Sequence, residues 1–260
     1  MADRPQRRTF ILMLLGCLAA CSPFSRDDGP PRRPPAVVPP DAVPQAEPRS
    51  ARGNPPFYDV FGKRYHVLDS SASFRERGVA SWYGNKFHGA STASGEPYDM
   101  HAMTAAHPTL PLPTYARVTN LRNGRSVVVR INDRGPFAHN RAIDLSYAAA
   151  SRLDMLANGT TLVEIEALDP GGGADDTTAR AAGPPPRGPM YVQVGAFGDS
   201  ANAERLRQKL AASNIGNVVV RKSDGLYRVR VGPIPDVAAY DRTVAQMQAM
   251  SITDSRLVIE

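Results

Sequence analysis

"VVVRINDRGPF", residues 127–137, is the stretch on which the reading of this chain turns. Val127, Val128, Val129 and Ile131 are β-branched and apolar, which predicts a strand with a buried face. The strand runs out into Asn132, Asp133, Arg134, Gly135 and Pro136, a tight polar turn. An acid at such a strand end has two readings. It can accept hydrogen bonds from its own turn and cap it. Alternatively, a rigid strand can hold it at the lip of a cleft as a reactive group. The stretch alone leaves both open.

Outward from it, "GVASWY" alternates up to Gly84, and "YARVTNLRNGRSVVVRI" reads as two strands joined at the hairpin signal Asn123-Gly124. "AIDLS" is a brief apolar strand, "YAAASRLDML" an Ala-rich helix with Ser146 as its N-cap, and "TTLVEIEAL" a closing strand. Many short strands with one or two short helices over 57–168 predict a mainly β, small closed or nearly closed barrel. Residues 57–77 are rich enough in Phe, Tyr and Val to pack on it as an extension.

Polar residues gather where the strands break. Ser94, Gly95, Glu96, Tyr98 and Asp99 fall in one loop, and His107 precedes a proline that biases it to extended backbone. Glu96, His107 and Asp133 therefore make a candidate acid–base set. Arg134 should point to the opposite face from Asp133, as a turn-fixing salt bridge or an anion contact. Asp144 reads as a cap or turn acceptor. His66, His88, His101 and His139 lack metal-ligand spacing, so neither a metal nor another cofactor is expected.

Residues 190–260 carry a second pattern, βαββαβ, an α+β unit with helices on one side of the sheet. "MYVQVGAF" alternates; Asp199 or Ser200 caps "ANAERLRQKLAAS", with Ala203, Leu206 and Leu210 along one face. "GNVVVRKSDGLYRVRVGPI" is a hairpin around Asp224-Gly225. "VAAYDRTVAQMQAM" is a helix with Ala238, Val244 and Met247 as core positions, and "SRLVIE" a final strand. Alternation turns Val192, Val194, Tyr227, Val229 and Val231 toward the helices and leaves Gln193, Arg228 and Arg230 on the open face. Some RNA-binding modules share this topology, but "LYRVRVGP" lacks their Gly-aromatic signature.

The N-terminus bears on compartment. Arg4, Arg7 and Arg8 precede "FILMLLGCLAA", an apolar run too short to span a bilayer, which is the pattern of an export signal. Residues 1–20 are read as a signal peptide ending before Cys21. "LAAC" offers a better lipidation site there than "LLGC" does at Cys17, because Leu15 is bulky. The chain has two Cys, so lipidation of Cys21 would leave no disulfide and each domain would rest on core burial. Residues 21–56 and 169–189 are Pro- or Gly-rich and read as disordered tether and flexible linker. Removal of three Arg and one Asp with the signal lowers the net charge from +6 to +4, suited to an acidic polymer. Export excludes nucleic acid as partner.

"ASWYGNKFHG", "TASGEPYDM", "MTAAHPTLP", "VRINDRGPF" and "IDLS", in that order, resemble the rare lipoprotein A family. The resemblance implies a double-psi β-barrel related to expansins and an outer-membrane lipoprotein facing the periplasm, an assignment that Ser22 after Cys21 supports. It also implies lytic transglycosylase activity on peptidoglycan strands stripped of peptides, ending in 1,6-anhydromuramic acid. Asp133 then falls on the family's catalytic acid and Glu96 and His107 on its supporting residues. Glu96 would help to raise the Asp133 pKa or orient the sugar, and His107 would hydrogen-bond substrate or acid. Trp82 and Tyr83 either stack on sugar rings or belong to the core. "YVQVGAF" and "YRVRVGP" resemble the SPOR domain, which implies binding of denuded glycan at division septa through Gln193, Arg228 and Arg230. The alternative is a non-catalytic, expansin-like binder of the same glycan. A hydrolase would need a second carboxylate, for which Glu96 or Asp99 could serve.

Overall fold

The computed structural model describes residues 30, 39–138, 140–168, 188–253 and 255–260. The residues read as an export signal, Cys21, His139 and most of the 169–189 segment lie outside them.

A hairpin, β1 (Phe57–Val60) and β2 (Lys63–His66), leads into the barrel. The extension is packed: Tyr58 stacks on Tyr65 and both meet the edge of Phe137. The barrel strands are β3 (Arg75–Tyr83), β4 (Thr104–Ala106), β5 (Thr114–Asn120), β6 (Ser126–Asp133), β7 (Ile143–Ser146) and β8 (Thr161–Ala167). They close in the order β3-β7-β4-β6-β5-β8. Two pairings are parallel, β3 with β7 and β4 with β6, which threads the strands through one another as no simple meander does. Helix α1 (Tyr147–Arg152) begins where Ser146 Oγ accepts the Ala149 N–H. Val127, Val129, Ile131, Ile143, Leu145, Val163 and Ile165 fill the interior, the alternate positions that the period of two demands.

The second domain runs β9 (Met190–Phe197), α2 (Ser200–Ala212), β10 (Val218–Ser223), β11 (Leu226–Val231), α3 (Val237–Ala249) and β12 (Arg256–Ile259), with sheet order β10-β11-β9-β12. Asp199 caps α2 and Asp236 caps α3. Val192, Val194, Ala203, Leu210, Val244 and Met247 are buried. Ala238 is not. It is exposed, and Tyr240 and Thr243 point inward instead, because position 238 is off the i, i+3, i+4, i+7 face that Tyr240, Val244 and Met247 define. The domains touch through the bidentate pair Arg141–Asp241 (2.8 and 3.1 Å). Val79, Leu121 and Leu162 of the barrel join the second apolar cluster.

The largest departure from expectation lies before the barrel. Residues 39–56, read as the end of a disordered tether, are bonded to it. Ala42 N–H donates to Val128 O (3.0 Å), Ser50 N–H to Leu112 O (2.8 Å), and Arg152 pairs with Asp41 (2.9 Å). Proline-rich composition forbids a core of its own but not docking on a neighbour's backbone.

Candidate active site

A bulge aims Asp133. Along β6 the odd positions Val127, Val129 and Ile131 face the core, so regular alternation would drive Asp133 inward as well. The β4–β6 register instead passes from Ala105↔Ile131 to Ala106↔Asp133, skipping Asn132. The extra residue turns Asp133 onto the face of Ala106, away from the core. Ala106 is also opposite Asp144 of β7, and Asp144 opposite Ser81 of β3. Residues opposite one another share a face. Asp133, Ala106, Asp144 and Ser81 thus form one row, kept low by the alanine.

Within that row Asp133 is held by backbone. Its Oδ1 accepts the N–H groups of Ala93 (2.7 Å) and Arg134 (2.8 Å), while Oδ2 accepts no hydrogen bond among the described residues. Burial raises its pKa above the usual carboxylate value, although these two N–H bonds and the Arg134 charge pull the other way. A carboxyl held in this way keeps a proton to higher pH and has one oxygen free to pass it on.

The neighbours differ from expectation. Glu96 Oε2 accepts from Arg130 Nη1 (2.8 Å) and Asn132 Nδ2 (2.9 Å), and the Arg130 bond holds its pKa below the ordinary value. Glu96 is therefore a fixed anion, and burial rather than Glu96 raises Asp133. His107 is fully buried. Its Nδ1 accepts from the N–H groups of Thr109 (3.2 Å) and Leu110 (3.0 Å), and Nε2 lies 3.4 Å from Glu76. With both ring nitrogens engaged it contacts Asp133 through backbone alone, His107 N–H to Asp133 O (3.1 Å). The ring makes no hydrogen bond to the Asp133 carboxyl among the described residues.

Among the described residues Arg134 forms no turn-fixing salt bridge. Its guanidinium donates to the carbonyls of Gly53 (2.8 Å), His107 (3.1 Å) and Leu110 (2.5 Å), and to Asn54 Oδ1 (3.1 Å). Burial lowers its pKa to about 10. Asp144 sits in β7 and accepts from the Ser81 hydroxyl, while the helix cap that follows is Ser146. Trp82 is partly buried against the core and the edge of Tyr147. Tyr83 stacks on Tyr98 (4.0 Å, 19°) with its hydroxyl buried and turned inward, toward Thr104. Burial first, then Tyr98, Asp133 and Asp144, push that phenol well up, so it shares the neighbourhood of both carboxylates.

On the second domain, the register places Gln193 opposite Arg230, Ala196 opposite Arg228, and Arg256 opposite Gln193, all on the sheet face away from the helices. The face is less open than alternation implied. Gln193 is 6% exposed, and its Oε1 and the Arg230 Nε are buried without partners among the described residues. Glu260 takes Arg230 Nη1 and lies 3.5 Å from Arg221, while Arg228 is held by Ser223 and Asp224.

A family model described as "Lytic transglycolase" matches residues 75–165, and one described as "SPOR domain" matches 186–255. Three curated proteins, each named "Endolytic peptidoglycan transglycosylase RlpA", align along most of the chain. That of Pseudomonas aeruginosa (strain UCBPP-PA14) is 38% identical over 84% of this chain and 80% of its own length. That of Neisseria meningitidis serogroup B is 42% identical over 81% and 86%. That of Vibrio cholerae is 40% identical over 87% and 85%. The chain belongs to the RlpA family. Its closed six-stranded barrel is the double-psi barrel of that family, followed by a SPOR domain. Within this RlpA chain, sequence reasoning missed Glu47, Gly53, Asn54, Arg130 and Glu260 around the two sites. The bulge left a trace: Asn132 and Asp133 are both polar where alternation calls for one apolar residue.

Proposed function

We propose that this chain is a lytic transglycosylase that cuts peptide-free peptidoglycan strands at the division septum, endolytically and without water. One observation supports the reading most: in a family of this name, Asp133 is desolvated, clamped at one oxygen by two backbone N–H groups and unbonded at the other. Protonated Asp133 gives its proton to the oxygen between N-acetylmuramic acid and N-acetylglucosamine. That C–O bond breaks, and the N-acetylglucosamine side leaves as an alcohol. The resulting carboxylate takes the proton from the muramic C6 hydroxyl as that oxygen bonds to the anomeric carbon, closing the 1,6-anhydro ring. One carboxyl performs both transfers, and the proton balance is zero. Glu96, held ionised by Arg130, offers a fixed acceptor for sugar hydroxyls and no proton.

The SPOR face would hold the product strand or its neighbour, with Gln193, Arg228 and Arg230 reading the lactyl carboxylate that peptide removal exposes. Lipid on Cys21 would anchor the chain to the outer membrane, facing the periplasm. Linking cutter and binder raises the local substrate concentration without any new contact.

The test is to incubate the chain from Ser22 onward with amidase-treated glycan strands and weigh the products. Ends one water lighter than hydrolytic ends, absent with Asp133→Asn, are the expected result. Hydrolytic ends would replace the mechanism with a two-carboxylate one. Retention of strands without any product would make the chain a binder.

A further inference from the structure

The two N–H groups that fix Asp133 are themselves fixed from outside the matched barrel. Arg134 is one donor, and its side chain reaches Gly53 O through Nε (2.8 Å) and Asn54 Oδ1 through Nη2 (3.1 Å). Ala93 is the other. A Cβ on Gly53 would stand 2.8 Å from the Ala93 carbonyl oxygen, so the two backbones lie in direct contact, and Gly53 adopts φ +76°. Ser50 Oγ donates to Ser94 O (3.4 Å) in the same loop. Asn54 pairs with Leu112 as a strand would: Oδ1 accepts Leu112 N–H (2.8 Å) and Nδ2 donates to Leu112 O (2.8 Å). On the Glu96 side, Glu47 takes Arg130 Nε (2.8 Å) and Nη2 (2.7 Å) and the Tyr115 hydroxyl, which sets the guanidinium plane that holds Glu96.

We propose that residues 47–54 are a positioning strap for the reaction, with Gly53 and Asn54 setting the Asp133 carboxyl through its two backbone donors and Glu47 setting Glu96 through Arg130. The inference rests on the reading of Asp133 as the proton donor. Its physical content is specific. The strap acts on hydrogen bonds that accept into the carboxylate, and such bonds favour the ionised form. Loosening them raises the pH at which Asp133 gives up its proton. It also misplaces the acid by fractions of an ångström, which costs turnover more than binding. Removing residues before Phe57 would strip the strap while leaving the matched barrel whole.

The test compares Gly53→Ala, Asn54→Ala and Asn54→Asp in the chain from Ser22 onward. Asn54→Asp keeps the acceptor for Arg134 and Leu112. Three quantities are read: kcat and KM on peptide-free strands, the pH limb of kcat, and the Asp133 carboxyl titration by carbon-13 NMR. Asn54→Ala should lower kcat about tenfold with KM within about twofold, move the basic limb and the NMR titration to higher pH, and be partly rescued by Asn54→Asp. Gly53→Ala should do the same more strongly, and if it fails to fold, Asn54→Ala carries the test alone. A folded Asn54→Ala with the wild-type titration overturns the strap, whatever its activity. A shifted titration in a chain that makes no product from any strand keeps the strap and removes the transglycosylase reading.

Discussion

The two domains treat charge in opposite ways. In the barrel, Asp133 is partly buried and has no ion-pair partner among the described residues; neutral backbone groups hold it, and its pKa rises. In the SPOR domain, Arg228 and Arg230 are each paired with an acid, Asp224 and Glu260. An unpaired buried carboxyl resists ionisation and becomes a proton donor, whereas a paired guanidinium keeps its charge and can exchange one carboxylate for another. Within the barrel the same contrast recurs between Asp133, the last residue of β6, and Glu96, which accepts from Asn132 one position before it and from Arg130. Chemistry here follows from which carboxylate was given a cation.

The sharpest way to break that comparison is Asp133→Asn. It should reduce anhydro-product formation by about 10²–10⁴-fold without lowering the unfolding midpoint at pH 7. The sign follows from the raised pKa. The folded state binds the Asp133 proton more tightly than the unfolded chain, so the wild type loses stability as pH rises from the unfolded value, about 3.9, through the folded one. The amide removes that loss, so a midpoint clearly below wild type at pH 7 would contradict the desolvated carboxyl.

Arg130→Met should come next, costing about 1–2 kcal/mol in urea unfolding, because the partly exposed Glu47 and Glu96 are left without their cation. Both acids have depressed pKa values, so their stabilisation is present above the unfolded value and lost as pH falls through the folded one. The gap between Arg130→Met and wild type should therefore narrow toward pH 3. A gap constant from pH 7 to pH 3 would show that lost packing, not charge pairing, carries the cost.

Glu260→Gln tests the SPOR half. Freed of its internal carboxylate, Arg230 should retain peptide-free strands about two- to fivefold better, within the range of a partly exposed ion pair. Weaker retention would mean that Glu260 orients Arg230 for the ligand. The smallest effect belongs to Ala238→Ser, within about 0.5 kcal/mol of wild type, since the side chain is exposed. A cost above about 1 kcal/mol would place Ala238 back in the core.

Element identity was legible because alternation and turn chemistry agree over most of the chain. The Asn123-Gly124 hairpin, the Ser146 cap and the βαββαβ order all stand in the structure. The motif around Asp133 could be read, yet its direction could not, because a bulge is a relation between strands rather than a property of one. His107 looked reactive since sequence cannot show that the Thr109 and Leu110 amides already occupy its ring nitrogen. Residues 39–56 looked idle because their contacts run to Leu112, Val128 and Arg130, dozens of positions away and mostly through backbone. The face bearing Gln193 was found correctly, but its burial depends on Arg230 and Arg256 lying across it.

Docking of the segment before the barrel also fixes a length. With lipid on Cys21 as proposed, a tether running to residue 56 would span about 35 residues and reach about 120 Å when fully stretched. Attachment from residue 39 onward leaves about 17 residues and about 60 Å. If Cys21 carries the proposed lipid, the barrel would be confined to a shell half as deep, and a load on the lipid would arrive at the same stretch, residues 47–54, that holds Arg134 and Arg130.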